Sequence, residues 1–223
     1  MEWLKMWDEK ANTENYFTQT GRGKSFTMYE FLLYIQDVNN NLHLCKGDNL
    51  LDIGGGSGWV SMHLSPWVNS IIMIDYSDKM IEKAGKQVTA FENIKVFYGN
   101  VLNIRNWDFR YEKGFNKILV GSVFQYLANM DEVRTALQNI YNVMKPGGKC
   151  LLTHNPDLNK KESHIASMLQ TEETLQQENA RLWINPQEMM YMSLKAGFSE
   201  CLIKQINPLI WQSTHMFDML VIK

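Results

Sequence analysis

Leu50-Leu51-Asp52-Ile53-Gly54-Gly55-Gly56-Ser57-Gly58-Trp59-Val60 is the stretch that decides the fold of this chain of 223 residues. An apolar run with Asp52 near its end is followed by four glycines within five positions, and then by an amphipathic pattern. Glycine permits a positive φ in a sharp turn and leaves no Cβ between the backbone and a ligand. The stretch therefore predicts a strand, a tight loop and a helix whose N-terminus faces a ligand.

The glycine spacing separates the ligand classes that use such a loop. A dinucleotide loop, Gly-x-Gly-x-x-Gly, would need glycine where Trp59 stands, and a phosphate-binding P-loop would need a lysine that Ser57-Gly58-Trp59 lacks. Elsewhere Gly23-Lys24-Ser25 ends like a P-loop, but Thr18 stands where its first glycine should be. The spacing that remains is Asp-x-Gly-x-Gly-x-Gly.

Composition limits the classes of partner. The chain has 45% apolar residues and a net charge of −2, with no basic tract, so we expect neither a nucleic-acid nor a membrane partner. Its three cysteines are far apart, which indicates reduced core residues. No apolar run approaches the roughly 20 residues of a membrane span, and the first residues contain no signal core. We expect a cytoplasmic protein, monomeric or homodimeric.

Strands and helices alternate along most of the chain. Strands are predicted at 50–53, 70–75, 93–98, 115–121, 149–153, 200–206 and 215–222. The third alternates, but continuous apolar runs in repeated strand–helix units indicate parallel strands that helices cover on both faces. The connection at 207–214 is too short for a crossover helix, so the last two strands should form an antiparallel hairpin. Asn185, Pro186 and Gly197 predict a helix with its N-cap, first residue and end at these positions.

The motifs resemble those of the class I S-adenosylmethionine-dependent methyltransferases of the small-molecule type. The resemblance covers 48–223 through the glycine loop, Asp75, Gly99-Asn100-Val101, 115–127 and the turn Lys145-Pro146-Gly147-Gly148. It implies an α/β fold: a doubly wound, seven-stranded, mostly parallel sheet of order 3-2-1-4-5-7-6 whose last strand is antiparallel. It also implies an N-terminal helical cap (1–45) and a methyltransferase domain (46–223) with a helical insert at about 157–182.

The same resemblance implies S-adenosylmethionine as cofactor and S-adenosylhomocysteine as product. Asp52, Gly54, Gly56 and Gly58 would hold the methionine part, and Asp75 would accept the ribose hydroxyls. The remaining cofactor contacts would be Tyr76, Met80, Asn100, Val101, Gly121 and Ser122. Tyr76 and Met80 also suit ordinary packing, and Asn100 replaces the aspartate that is usual in the family.

Two residues are candidate bases for an acceptor that must lose a proton. His154 ends the fifth strand, at the sheet edge where doubly wound folds bind ligands; its alternative role is a hydrogen bond to a loop. Tyr16 belongs to the predicted cap, where it could equally be a packing aromatic. Arg22 could bind a carboxylate or stay solvated. No metal is predicted, because His154 and Asp157 lack a supporting set of acids.

The leading hypothesis is an enzyme that methylates nitrogen or oxygen of a small polar acceptor, such as a sugar or another intermediate of cell-surface or secondary metabolism. One alternative is an NAD(P)-dependent reductase, which would share the sheet and Asp75. The other is a non-catalytic protein that binds S-adenosylmethionine.

Overall fold

The computed structural model of the chain describes residues 3–20, 26–106, 114–168 and 171–223, with only the backbone at 105 and 106. Its helices are α1 (Trp3–Ala11), α2 (Tyr16–Gln19), α3 (Met28–Leu42), α4 (Trp59–Leu64), α5 (Asp78–Gln87), α6 (Met130–Val143), α7 (Lys161–Ser167), α8 (Glu172–Ala180) and α9 (Pro186–Ala196). Its strands are β1 (Asn49–Ile53), β2 (Ser70–Asp75), β3 (Ile94–Tyr98), β4 (Phe115–Gly121), β5 (Met144–Pro156), β6 (Glu200–Lys204) and β7 (Met216–Ile222). Arg22 lies outside the described residues.

The seven strands form one sheet of order β3-β2-β1-β4-β5-β7-β6, which confirms the predicted topology. Neighbours among the first five strands are parallel, whereas β7 runs antiparallel to both β5 and β6. The predicted hairpin of the last two strands is therefore confirmed, and β7 is the antiparallel strand. Among the helices of the described ranges, none is long and apolar enough to cross a membrane.

Alternate residues of the central strands enter two separate hydrophobic cores. Leu51 and Ile72 belong to the core beneath α6 and α9, while Leu50 and Ile71 belong to the core beneath α3 and α4. All four side chains are at most 3% exposed. Successive side chains of a strand point to opposite faces of its sheet, so two covered faces require continuous apolar runs.

The boundaries of α9 are those predicted. The Asn185 side chain accepts hydrogen bonds from the N–H groups of Gln187 and Glu188, Pro186 begins the helix, and Gly197 ends it at φ 109°. Capping of this kind satisfies backbone groups that have no partner within the helix. Here local sequence alone determines where the helix begins and ends.

The fifth strand is longer than predicted. The predicted turn Lys145-Pro146-Gly147-Gly148 is instead part of β5, which begins at Met144, and the register with β4 shifts between Phe115 and Lys117. Backbone hydrogen bonds with Lys223 tie Gly147 and Gly148 to the end of β7. This pairing is long-range and keeps the segment in the sheet.

The segment between β5 and α9 contains α7 and α8, within the range predicted as an insert. Its His164 ring stacks on His215 with a centroid distance of 3.8 Å. Arg181 forms an ion pair of 3.0 Å with Glu178, whose carboxylate also lies 4.0 Å from His164. The stacked histidine rings therefore connect the segment to the loop that precedes β7, while the Glu178 contacts lie within the segment.

Candidate active site

A cavity of about 390 Å³ lies at the carboxyl ends of β1, β2 and β4. Its walls come from the glycine loop after β1, the residues after β2 and β3, the segment after β4, and the helices α1 to α3. Doubly wound sheets bind ligands at this edge, and the volume falls in the range of ligand pockets.

The glycine loop forms one wall of the cavity. Gly54 and Gly56 line it with φ of 74° and 57°. A Cβ on Gly54 would lie 2.3 Å from Val123 Cγ2, and one on Gly56 would lie 3.6 Å from the Gln19 carbonyl oxygen. A Cβ on Gly56 would therefore project into the gap between the loop and α2, which is open to a ligand. Gly58, with φ 82°, is the N-cap of α4 and does not line the cavity.

Asp75 ends β2 with its carboxylate in the cavity wall. Its Oδ2 accepts the Gly56 N–H and its Oδ1 accepts the Ser77 N–H, both at 2.9 Å. Burial raises the pKa of Asp75 to about 6, although these two hydrogen bonds act to lower it. Each carboxylate oxygen can accept more than one hydrogen bond, so the group can still receive hydroxyls.

Asp52 lies beneath the glycine loop. It is 2% exposed, lines the cavity, and accepts the Ser61 hydroxyl at 2.6 Å. Its Oδ2 would lie 3.0 Å from a Cβ on Gly55. Because loop and carboxylate are this close, Asp52 is placed to orient the loop.

The residues after β2 and β3 form the opposite end of the cavity. Tyr76, Asn100 and Val101 line it, whereas Met80 is fully buried in the core and does not. Asn100 Oδ1 accepts the Leu102 N–H at 2.9 Å. The Tyr76 hydroxyl is buried with no hydrogen-bond partner among the described residues, and burial raises its pKa. A neutral phenol of this kind can donate to a ligand.

Gly121 and Ser122, at the end of β4, line the cavity beside Tyr34 of α3. A Cβ on Gly121 would lie 3.5 Å from the Tyr34 hydroxyl. His154 is close to this wall but does not line the cavity: it is 2% exposed, and its Nδ1 lies 3.3 Å from Ser122 Oγ. His154, the predicted base, is therefore separated from the cavity by the Ser122 hydroxyl.

Tyr16, the second predicted base, lies apart from the other site residues. Its ring stacks on Trp59 with a centroid distance of 4.3 Å and an interplanar angle of 3°. It is 45% exposed and does not line the cavity. In this arrangement Tyr16 covers the start of α4.

The cavity wall also contains aromatic residues that were not predicted as site residues, among them Trp3, Trp7 and Tyr34. Trp3 and Trp7 of α1 contact Tyr126 edge to face, with centroid distances of 4.9 and 5.5 Å. Their spacing of four residues places both indoles on one helix face, which is a signal the sequence does contain. Tyr34, by contrast, stands in the apolar stripe of α3 and looks like a core residue.

Hydrogen bonding holds α1 over the residues after β2. The Ser77 hydroxyl donates to Asp8 Oδ1 at 2.6 Å, and the same hydroxyl accepts the Met80 N–H at 3.1 Å. Within the described ranges, no group of three or more His, Cys, Asp or Glu side chains could hold a metal ion.

Comparison with known proteins identifies the type of domain. Residues 50–148 match a family profile described as a methyltransferase domain. A demethylmenaquinone methyltransferase of Staphylococcus epidermidis is 32% identical over 127 residues, which are 54% of this chain and 49% of that protein. The chain thus spans about half the length of the curated relatives it matches.

Two solved structures share the fold over nearly the whole chain. The N-methyltransferase NodS from Bradyrhizobium japonicum, in complex with S-adenosylhomocysteine, has a TM-score of 0.68 at 16% identity and covers 99% of this chain and 97% of its own. The DhpI–SAM–HEP complex has a TM-score of 0.67 at 13% identity, with coverage of 99% and 95%. The described chain therefore has the fold of these two structures, with the Asp-x-Gly-x-Gly-x-Gly loop beside its cavity, and its residues 50–148 match a methyltransferase domain.

Proposed function

We propose that this protein transfers a methyl group from S-adenosylmethionine to nitrogen or oxygen of a small polar acceptor. The observation that carries the proposal is one cavity in which the Gly54–Gly56 loop, the Asp75 carboxylate and the residues after β3 face each other. A nucleoside with an amino-acid tail needs these three kinds of contact. The glycine loop lets the amino-acid tail approach the backbone, and Asp75 accepts the ribose hydroxyls. The residues after β3 hold the adenine ring.

The cavity residues fit the cofactor. Gly54, Gly56 and Gly121 leave room for the methionine part, because a Cβ on Gly56 would project into the gap below Gln19. Asp75 would hold the ribose, and Tyr76, Asn100 and Val101 would hold the adenine. The further predicted contacts, Gly58 and Met80, would act by shaping the loop and the start of α5. When bound, the cofactor supplies a methyl group on a positively charged sulfur.

The chain's residues have three tasks in such a reaction. They hold the acceptor in line with the methyl group, exclude water, and take a proton from a hydroxyl or ammonium acceptor. Trp3, Trp7 and Tyr126 would exclude water, because they lie together in the cavity wall. We propose that the cap (1–45) covers the donor and that the insert (157–182) covers the acceptor.

Trp59 supports methyl transfer over the reductase alternative. It stands where a dinucleotide loop has its third glycine, the residue that permits close packing of helix and strand. The stacked ring of Tyr16 covers this indole at 4.3 Å. A net charge of −2 further supports a small acceptor over a nucleic acid. We propose a cytoplasmic enzyme that is a monomer or a homodimer.

A planar aromatic acceptor is the second candidate. The Staphylococcus epidermidis relative is named a demethylmenaquinone methyltransferase, so its acceptor is a quinone. In this chain the aromatic residues Trp3, Trp7, Tyr76 and Tyr126 face the cavity. Aromatic side chains stack on planar ligands.

Mass spectrometry tests both candidates. The purified protein is incubated with S-adenosylmethionine carrying a deuterated methyl group and with either the polar or the lipid fraction of a bacterial extract. A labelled polar product supports the first candidate, and a labelled quinone supports the second. Gly56→Val serves as the inactive control. Calorimetry that finds NADH binding without S-adenosylhomocysteine binding would overturn the proposal, and cofactor binding without any labelled product would indicate a non-catalytic protein.

A further inference from the structure

Two non-glycine residues near the carboxyl ends of β4 and β5 are in the left-handed region. Ser122 directly follows β4 and has φ 60°, and His154 has φ 56° and lies inside β5, which continues to Pro156 instead of ending at His154 as predicted. Such conformations cost on the order of 1–3 kcal/mol each and persist where surrounding contacts hold them. His154 also lies where the register between β5 and β7 shifts, between Leu152 and Asn155. Irregularities of this kind redirect a side chain. The chain therefore maintains local strain at the point where these two side chains meet.

Ser122 and His154 lie at different depths in the cavity wall. Ser122 lines the cavity, and its hydroxyl lies 3.3 Å from His154 Nδ1. The imidazole is behind it, in a residue that is only 2% exposed. The Gln125 side-chain amide donates to the Ser122 carbonyl oxygen at 3.1 Å, and the Ser122 N–H donates to the Thr153 carbonyl oxygen at 3.1 Å. A ligand in the cavity thus meets a fixed hydroxyl with an imidazole on its far side.

Groups from three elements surround the imidazole. From α3, the Tyr34 ring stacks on it with a centroid distance of 5.0 Å and an angle of 25°. From β7, Asp218 accepts the His154 backbone N–H at 2.7 Å and is itself 5% exposed. Ser122 approaches from the end of β4. The Tyr34 ring, the backbone hydrogen bond to Asp218 and the Ser122 hydroxyl thus hold the imidazole in one position behind the cavity wall.

We propose that Ser122 is a catalytic residue of the methyl transfer and that His154 is a positioning residue that acts through it. The inference rests on the proposed function and names the path of the proton. The acceptor oxygen or nitrogen forms its bond to the methyl carbon while the carbon–sulfur bond breaks, and the electron pair of that bond stays on sulfur. The acceptor proton passes to Ser122 Oγ as the Ser122 hydroxyl proton passes to His154 Nδ1. Once the product has left the cavity, the proton returns from His154 Nδ1 through Ser122 Oγ to water that enters there.

Three variants separate this role from a structural one. Ser122→Gly removes the hydroxyl and also relieves the strain of a positive φ. His154→Asn tolerates the left-handed conformation and still presents a hydrogen-bond acceptor, but its amide does not titrate. His43→Asn is the matched control, because His43 has φ 53° at the exposed end of α3, away from the cavity.

The kinetic test uses tritiated methyl transfer to a bacterial metabolite extract. We expect Ser122→Gly and His154→Asn to lower kcat about 100-fold or more, the range of acid–base catalysis. Because His154 does not line the cavity, His154→Asn should keep S-adenosylhomocysteine affinity within about threefold. The rise of the wild-type rate with pH should disappear in His154→Asn, and His43→Asn should behave as the wild type. A rate above one third of the wild-type rate in Ser122→Gly or His154→Asn would overturn the inference alone. No transfer by the wild type would overturn the proposed function and the inference with it.

A second readout needs no turnover. In the ¹⁵N–¹H spectrum of the free protein, we expect the Nδ1 resonance of His154 to move in Ser122→Gly and to stay in place in His43→Asn. An unmoved resonance in Ser122→Gly would show that no hydrogen bond joins the pair and would overturn the inference.

Discussion

Replacing Asp75 with asparagine should weaken cofactor binding by about 30- to 1,000-fold. The carboxylate accepts the Gly56 and Ser77 N–H groups at 2.9 Å each and faces the cavity with its remaining acceptor sites. Hydrogen bonds to a charged group contribute about 1.5–3 kcal/mol each. Asparagine removes the charge and replaces one acceptor oxygen with a donor, so we expect a loss of about 2–4 kcal/mol, at 1.4 kcal/mol per factor of ten.

The pH dependence of binding gives this prediction a second, independent part. Burial raises the pKa of Asp75 to about 6, so most of the carboxyl groups are ionised at pH 7 and most are protonated at pH 5. If the ionised form binds the ribose, affinity for S-adenosylhomocysteine should fall about tenfold from pH 7 to pH 5. Asp75→Asn should show no such fall, because its amide does not titrate.

The raised pKa of Asp75 also predicts how Asp75→Asn affects folding stability. The folded-state pKa of Asp75 is about 6, above its ordinary 3.8, so the folded state retains a proton between these pH values that the unfolded state releases. Its contribution to the free energy of unfolding is therefore present below pH 3.8 and is lost as pH rises to 6, by about 3 kcal/mol in all. Removing this buried charge should leave Asp75→Asn folded at pH 7.

Isothermal titration calorimetry with S-adenosylhomocysteine at pH 5, 6, 7 and 8 is the assay. Asp78→Asn is the matched control, since Asp78 is exposed in the first turn of α5 and does not line the cavity. It should keep both the affinity and the pH dependence of the wild type. The reasoning is refuted if a folded Asp75→Asn binds within threefold of the wild type, or if wild-type affinity is flat from pH 5 to 8.

Three further predictions concern the loop, the cap and acid stability. Gly56→Val should reduce S-adenosylhomocysteine affinity about 100-fold or more in calorimetry, because a β-branched residue is strained at φ 57° and fills the gap below α2; unchanged binding would contradict the cofactor placement. Its control, Gly85→Ala, has open space around the added Cβ and should raise unfolding free energy by about 0.5–1 kcal/mol in urea titrations. Trp7→Ala should speed S-adenosylhomocysteine dissociation about 2- to 10-fold in stopped flow, because it loses the Tyr126 contact; an unaltered rate would exclude α1 from cofactor retention. Burial lowers the pKa of His215 to about 3, so unfolding free energy should fall by about 1 kcal/mol for each pH unit below 6.5, and His215→Gln should flatten this fall; identical acid profiles would refute it.

Most of the fold was predictable because its determinants are local. The bounds of β2 and β4 match the predicted 70–75 and 115–121, since each apolar run stops at a residue suited to a turn, Asp75 or Gly121. The start of β5 was wrong for the opposite reason. Lys145-Pro146-Gly147-Gly148 has turn composition, and its place in the sheet depends on backbone contacts with Lys223, far along the chain.

The candidate site divides in the same way. Gly54, Gly56 and Asp75 could be located because spacing and strand ends are visible in the sequence, and all three line the cavity. Tyr34 could not, because its neighbours in α3 give it the appearance of a core residue. That His154 lies behind Ser122 was also out of reach, since the irregularity in β5 arises from pairing with β7.

The two indoles in the cavity wall should make the intrinsic fluorescence of the protein sensitive to cofactor binding. Trp3 and Trp7 meet the ring of Tyr126 beside the space assigned to the nucleoside. Indole emission responds to the polarity around the ring, so filling or emptying that space should alter intrinsic fluorescence without any added dye. Exchange of donor for product could then be followed in real time, before the acceptor is identified.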